Sequence, residues 1–161
     1  MRGHRGKHLE GLIERSVTSG FFLVRIPDAH SFGGRSLRRR NPCDYIGSID
    51  GHPLALEAKE SEEESITRSK ILQYPHQYDF LCRWNNAHIH HIGGFAILTG
   101  RRFLTWVPVS ELERYPSHGP QRWGDGQLWG IRGIDLEKEP LDWKYLILGD
   151  RNGSAKSSSA A

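Results

Sequence analysis

Apolar residues recur along this chain in two rhythms. In residues 6–19, "GKHLEGLIERSVTS", Leu9, Leu12, Ile13 and Val17 fall at i, i+3, i+4 and i+8, which predicts an amphipathic helix. Gly20 follows as its expected stop. "FFLVRIP" (21–27) predicts a buried strand halted by Pro27, and residues 28–42, rich in Gly, Ser and Arg, a long exposed loop. "NPCDYIGSIDGHPLALEAKE" (41–60) reads as two strands joined by a tight turn at Asp50-Gly51. "ESEEES" (60–65) predicts a solvated connection. A helix over 76–91, with Phe80, Leu81, Trp84 and His88 at helical spacing, should end at Gly93-Gly94. Strands are expected at 95–100 and 102–109, with a short helix at "VSELERY". Beyond Pro116 the periodicity fades. Trp123, Trp129 and Trp143 should anchor an irregular segment, "WKYLIL" (143–148) should form a last strand, and "DRNGSAKSSSAA" should be a disordered tail. The order is α-β-β-β-α-β-β: an α/β domain over residues 1–149, with a mixed central sheet flanked by helices and a tail over 150–161.

The predicted hairpin carries charges where a purely structural one has no use for them. With Asp50 and Gly51 as turn residues, paired positions sum to 101, so Asp44 lies opposite Glu57. Opposed residues in such a ladder hold their Cβ atoms about 4.5–5.5 Å apart. Lys59 shares a face with Glu57, while Leu54, Leu56 and Ala58 point to the other. Two opposed carboxylates repel unless a cation sits between them. Mg²⁺ is the ordinary candidate, with the Ala58 carbonyl as a further ligand. Lys59 is placed to hold an attacking water or to offset phosphate charge, a set of parts suited to phosphodiester hydrolysis. The competing reading is a surface strand pair, since E-x-K is common by chance.

Charge favours the first reading. Of 161 residues, the first 40 hold nine Lys/Arg against three acids, +6, so the remainder sums to −3 within a net charge of +3. A basic segment on a nearly balanced body points to a polyanionic partner such as nucleic acid. "RSLRRR" places Arg35, Arg38, Arg39 and Arg40 just ahead of the hairpin, where guanidinium groups suit phosphates. Arg5 and Lys7 extend that charge. No apolar run is long enough to span a membrane. Cys43 and Cys82 are too few for a disulfide framework, which favours a reducing, cytoplasmic setting. Gln77, four residues before Leu81, lies on the buried face of its helix and needs polar partners. His88, His90 and His91 have no recognised zinc spacing and are better explained by a helix C-terminus.

The D-x₁₂-E-A-K arrangement across a hairpin resembles the PD-(D/E)xK nuclease core of restriction-endonuclease-like folds. "RGKHLEGLIE" and "YPHQYDFL" sharpen the likeness to the Holliday junction resolvases, of the RecU and archaeal–phage cellular types, over about residues 3 to 107. The resemblance implies a catalytic set of Glu10, Asp44, Glu57, Lys59 and Gln77. It implies metal ligation by Glu10, Asp44, Glu57 and Ala58, with Mg²⁺ as cofactor and Mn²⁺ as substitute, and no small-molecule cofactor. It also implies a four-way DNA junction as substrate, a homodimer to make two symmetric cuts, and a bacterial, archaeal or phage-encoded origin. Another nuclease on the same core, or a DNA-binding module with a structural acidic cluster, remains the alternative.

Overall fold

The computed structural model of the protein describes residues 7–27, 41–114, 121–122 and 131–149. Its centre is a six-stranded mixed sheet in the order β1-β2-β3-β5-β6-β8. The strands are β1 (Phe21–Arg25), β2 (Tyr45–Ile49), β3 (His52–Ser61), β5 (Ile92–Thr99), β6 (Phe103–Pro108) and β8 (Arg132–Asp135). β3 and β5 run parallel and the other neighbours antiparallel. A small second sheet pairs β4 (Ser65–Ile66) with β7 (Gln121–Arg122). The helices are α1 (Lys7–Arg15), α2 (Arg68–Ile71), α3 (Pro75–Ala87) and α4 (Trp143–Leu148), with a 3-10 helix over Val109–Arg114. The mixed α/β class and helix-flanked sheet agree with the sequence pattern.

The hairpin forms in the expected register. Ile49 pairs with His52 and Tyr45 with Leu56, so pairs sum to 101. Asp50 and Gly51 have φ of 45° and 82°, the two positive values that a tight primed hairpin turn requires. The tip is tied down by Lys144 of α4, 2.6 Å from the Asp50 carboxylate.

The two sheet faces build separate cores. On one, Leu9 and Ile13 of α1 and Trp143, Leu146 and Ile147 of α4 pack over Leu54, Leu56, Ala96, Leu98 and Trp106. On the other, Leu81 of α3, Ile71 of α2 and Leu112 of the 3-10 helix cover Ala55, Phe95, Ile97 and Val107.

Several expectations are corrected. α1 ends at Arg15, and Val17 is exposed rather than part of the buried stripe. An isolated bridge between Thr18 and Phe21 turns the chain directly into β1. β3 continues through Ser61, because its parallel partner β5 extends to Thr99 and carries the pairing into the acidic stretch. α3 stops at Ala87, and Gly93-Gly94 lie inside β5 instead of capping the helix. They are glycines for close packing. A Cβ on Gly93 would stand 2.9 Å from the Leu81 carbonyl oxygen of α3, and one on Gly94 2.7 Å from the Trp106 ring. "WKYLIL" is a helix, not a strand. The Asp142 side chain accepts from the Tyr145 N–H at 2.9 Å as N-cap, and Gly149 closes the other end with φ of 85°. β8, in a stretch without visible periodicity, is the last strand among the described residues. Trp123, Trp129 and the tail from residue 150 lie outside the described residues.

Candidate active site

The site sits where β3 runs past the start of β2. Beyond Tyr45, the last ladder pair, β3 has no strand partner on that side among the described residues. Asp44 takes over: its Oδ2 accepts from the Ala58 N–H at 2.9 Å, and its own carbonyl accepts from Ile26 N–H at 2.8 Å. The N–H and C=O of one strand residue point to the same side, so the Ala58 carbonyl also faces Asp44.

Glu57, the residue before Ala58 and within reach of the Asp44 charge, is only 2% exposed. Its pKa is pushed up to about 7, first by burial and then by the Asp44 charge, while Lys59 and Gln77 act the other way. Glu57 Oε1 accepts from Lys59 Nζ at 2.9 Å, whereas Oε2 is buried with no hydrogen-bond partner. A buried carboxylate oxygen left bare beside a second carboxylate is poorly placed for a protein without a ligand. It is well placed to meet a hard cation, so the donor set of Asp44, Glu57 and the Ala58 carbonyl fits a divalent ion.

Lys59 is held from several sides. Its Nζ donates to Gln77 Oε1 at 2.9 Å as well as to Glu57, and it stands 5.3 Å from the centre of the Tyr74 ring. Gln77 reaches it from the first turn of α3, which Tyr74 begins as N-cap and Pro75 as first residue. His76 faces elsewhere: its Nε2 lies 3.2 Å from the Asn41 carbonyl oxygen, and the Asn41 amide donates to the carbonyls of Ile26 and Pro27. Pro27 and Asn41 are thereby fastened beside Asp44 and the start of α3, at both ends of the segment that carries the Arg run.

The structure thus brings Asp44, Glu57, Ala58, Lys59 and Gln77 together. Glu10 is not brought into that group: it lies on α1, which packs on the opposite face of the sheet, and its carboxylate makes a two-pronged pair with Arg25 of β1 at 2.9 and 3.1 Å. Among the described residues, no three His, Cys, Asp or Glu side chains gather closely enough to hold a metal ion. Lys7 is exposed at the start of α1, while Arg5, Arg35, Arg38, Arg39 and Arg40 lie outside the described residues. His91, beyond the end of α3, donates from Nδ1 to the Trp84 carbonyl at 3.2 Å and satisfies one carbonyl of the last turn.

Sequence reasoning missed Tyr74, Arg25 and Asn41. Tyr74 had a usable signal: it precedes Pro75, a helix-starting pair, and sits three residues before Gln77. Arg25 and Asn41 had none, since their partners are 15 and 35 residues away. Cys43, just ahead of Asp44, is fully buried, its thiol pushed up to about 12 by burial and by Glu57 and Asp44.

No protein-family model matches the chain, and no curated protein matches it in sequence. Among solved structures, it is similar to Hjc of Archaeoglobus fulgidus, a Holliday junction resolvase from an archaeal hyperthermophile, at 18% identity and a TM-score of 0.48. The match covers 80% of this chain and 93% of that one. No helix among the described residues is long and apolar enough to cross a membrane.

Proposed function

We propose that this chain is a divalent-metal-dependent, structure-selective DNA endonuclease that resolves four-way junctions. The observation that carries the reading is the buried, half-unpartnered Glu57 carboxylate, beside the Asp44 charge and tied through Lys59 to Gln77. Asp44, Glu57 and the Ala58 carbonyl would hold Mg²⁺, or Mn²⁺ in its place, with Glu10 contributing directly or through water. When bound, the ion supplies charge neutralisation at the scissile phosphate.

The chain's own groups do the rest. Lys59, a compact ammonium, holds an incoming water or a phosphate oxygen. Gln77 keeps Lys59 in place and orients it toward the end of β3. Arg35, Arg38, Arg39 and Arg40, on the segment anchored at Pro27 and Asn41, grip backbone phosphates, with Arg5 and Lys7 adding charge. Such contacts read shape and position and carry little base information. A four-way junction is two-fold symmetric and needs two cuts, so a homodimer with one site per subunit is the matching assembly.

The test is a cleavage assay on labelled four-way junctions, flaps and linear duplex, with Mg²⁺ and with EDTA. Symmetric, Mg²⁺-dependent cuts in the junction are expected. Cutting of linear ends or flaps in preference to junctions would reassign the enzyme within the nucleases. DNA binding without cleavage under any metal would leave a binding module.

A further inference from the structure

Tyr74 is an aromatic residue that the fold does not need for its core. It is 44% exposed, and as N-cap of α3 its side chain makes no capping hydrogen bond. Its ring nevertheless lies 5.3 Å from the Lys59 ammonium, within the range of a cation–π contact. An ammonium has three N–H donors and no acceptor. Two of the three are spoken for, by Glu57 Oε1 and Gln77 Oε1, each at 2.9 Å. The Glu57 oxygen does not lie on the exposed side, since its side chain is nearly inaccessible. Tyr74 supplies the remaining wall, at the mouth of the site.

The wall and one of the hydrogen bonds come from the same helical turn. Gln77 N–H donates to the Tyr74 carbonyl at 3.0 Å, so backbone geometry fixes the spacing between the ring and the Gln77 amide. Lys59 is therefore clamped between its own strand and the first turn of α3. Hydrogen bonds from below set its direction, and the aromatic face keeps the long, flexible stem from swinging out to solvent.

We infer that Tyr74 is a positioning residue for Lys59: its ring face, not its hydroxyl, holds the ammonium at the end of β3 where a phosphate would be presented. The inference rests on the nuclease reading for its catalytic consequence, but the contact itself does not.

Two measurements separate these. The first is a ¹H–¹³C spectrum of the protein labelled in lysine, with no metal or DNA. Lys59, assigned by the signal lost in Lys59→Ala, should show Hε protons shifted upfield by the Tyr74 ring. That shift should persist in Tyr74→Phe and collapse in Tyr74→Leu. The second is single-turnover cleavage of a four-way junction with Mg²⁺. Tyr74→Leu should cut about tenfold more slowly, as expected for loss of a partly desolvated cation–π contact, with junction affinity unchanged. Tyr74→Phe should restore the wild-type rate.

A Lys59 shift that is absent in wild type, or unchanged in Tyr74→Leu, overturns the inference. So does full cleavage activity in Tyr74→Leu, or a defect in Tyr74→Phe equal to that of Tyr74→Leu. A ring-dependent shift in a protein that cleaves no DNA would support the contact while removing the nuclease reading.

Discussion

The two faces of β3 are built to different rules. Leu54 and Leu56 point to the side closed by α1 and α4 and are fully buried among aliphatic and aromatic side chains. On the other side Ala55 begins in the same way, against Phe95, Ile97 and Leu81. Two residues on, that face changes character. Glu57 is as deeply buried as its apolar neighbours, yet it is a carboxylate beside a second carboxylate, with one oxygen unpartnered. One face maximises apolar burial, while the other gives up some of it at the end where the first turn of α3 opens. The two neighbouring carboxylates, set at one end of β3 beside good packing, mark a built site rather than a poorly made core.

The largest effects should set the two faces apart. Asp44→Asn and Glu57→Gln should each reduce junction cleavage by at least about 10²–10³-fold, with junction binding little changed, as measured by single-turnover kinetics and gel shift. Leu56→Ala, one residue away on the other face, should do the opposite. It should lower stability by about 2–5 kcal/mol in urea unfolding, while the folded fraction keeps its cleavage rate. Equal loss of activity per folded molecule in Leu56→Ala would erase the distinction.

Lys59→Ala should slow cleavage strongly without weakening metal binding, because its ammonium acts on water or phosphate. Lys59→Arg should rescue poorly, since a planar fork cannot take the same socket. Normal cleavage by Lys59→Ala would return Lys59 to a structural role.

The pH response of stability should also differ between the faces. The folded-state pKa of Glu57, about 7, lies above its ordinary 4.5. Between those values the folded protein holds more proton than the unfolded chain. The contribution is therefore full below the lower value and is lost as pH rises through the upper. Metal-free stability from this group should fall by up to about 1.4 kcal/mol per pH unit across that window. Glu57→Gln should flatten the fall, Mg²⁺ should oppose it, and Leu56→Ala should leave its slope intact.

The smallest expected effect belongs to the Arg run. Replacing Arg38, Arg39 and Arg40 with Ala should reduce the salt dependence of DNA affinity by up to about 0.9 per lost phosphate contact. A greater loss on junctions than on linear duplex would show that this segment reads shape.

Much of this was legible in the sequence, for local reasons. The Asp50-Gly51 turn fixes the hairpin register, whose ladder runs to Tyr45 and Leu56 and leaves Asp44 to meet β3 through the Ala58 N–H. Gln77 was legible from its spacing to Leu81. What escaped depends on distant partners or on competing signals. "WKYLIL" is rich in residues that favour strands, and only its caps, Asp142 and Gly149, reveal the helix. Gly93-Gly94 look like a helix stop until the backbone of α3 and the ring of Trp106 are seen pressing on β5. Glu10 was nominated by resemblance, and its pairing with Arg25 across 15 residues has no local signature.

The central claim is that the polar end of β3 is a cation site. Mn²⁺ binding followed by electron paramagnetic resonance of the free ion, on metal-stripped protein, tests it most directly. Saturable Mn²⁺ binding that Mg²⁺ displaces, lost in both Asp44→Asn and Glu57→Gln and kept in Leu56→Ala, is the expected result. Binding that survives both carboxylate substitutions, or no binding in the wild-type protein, would contradict it.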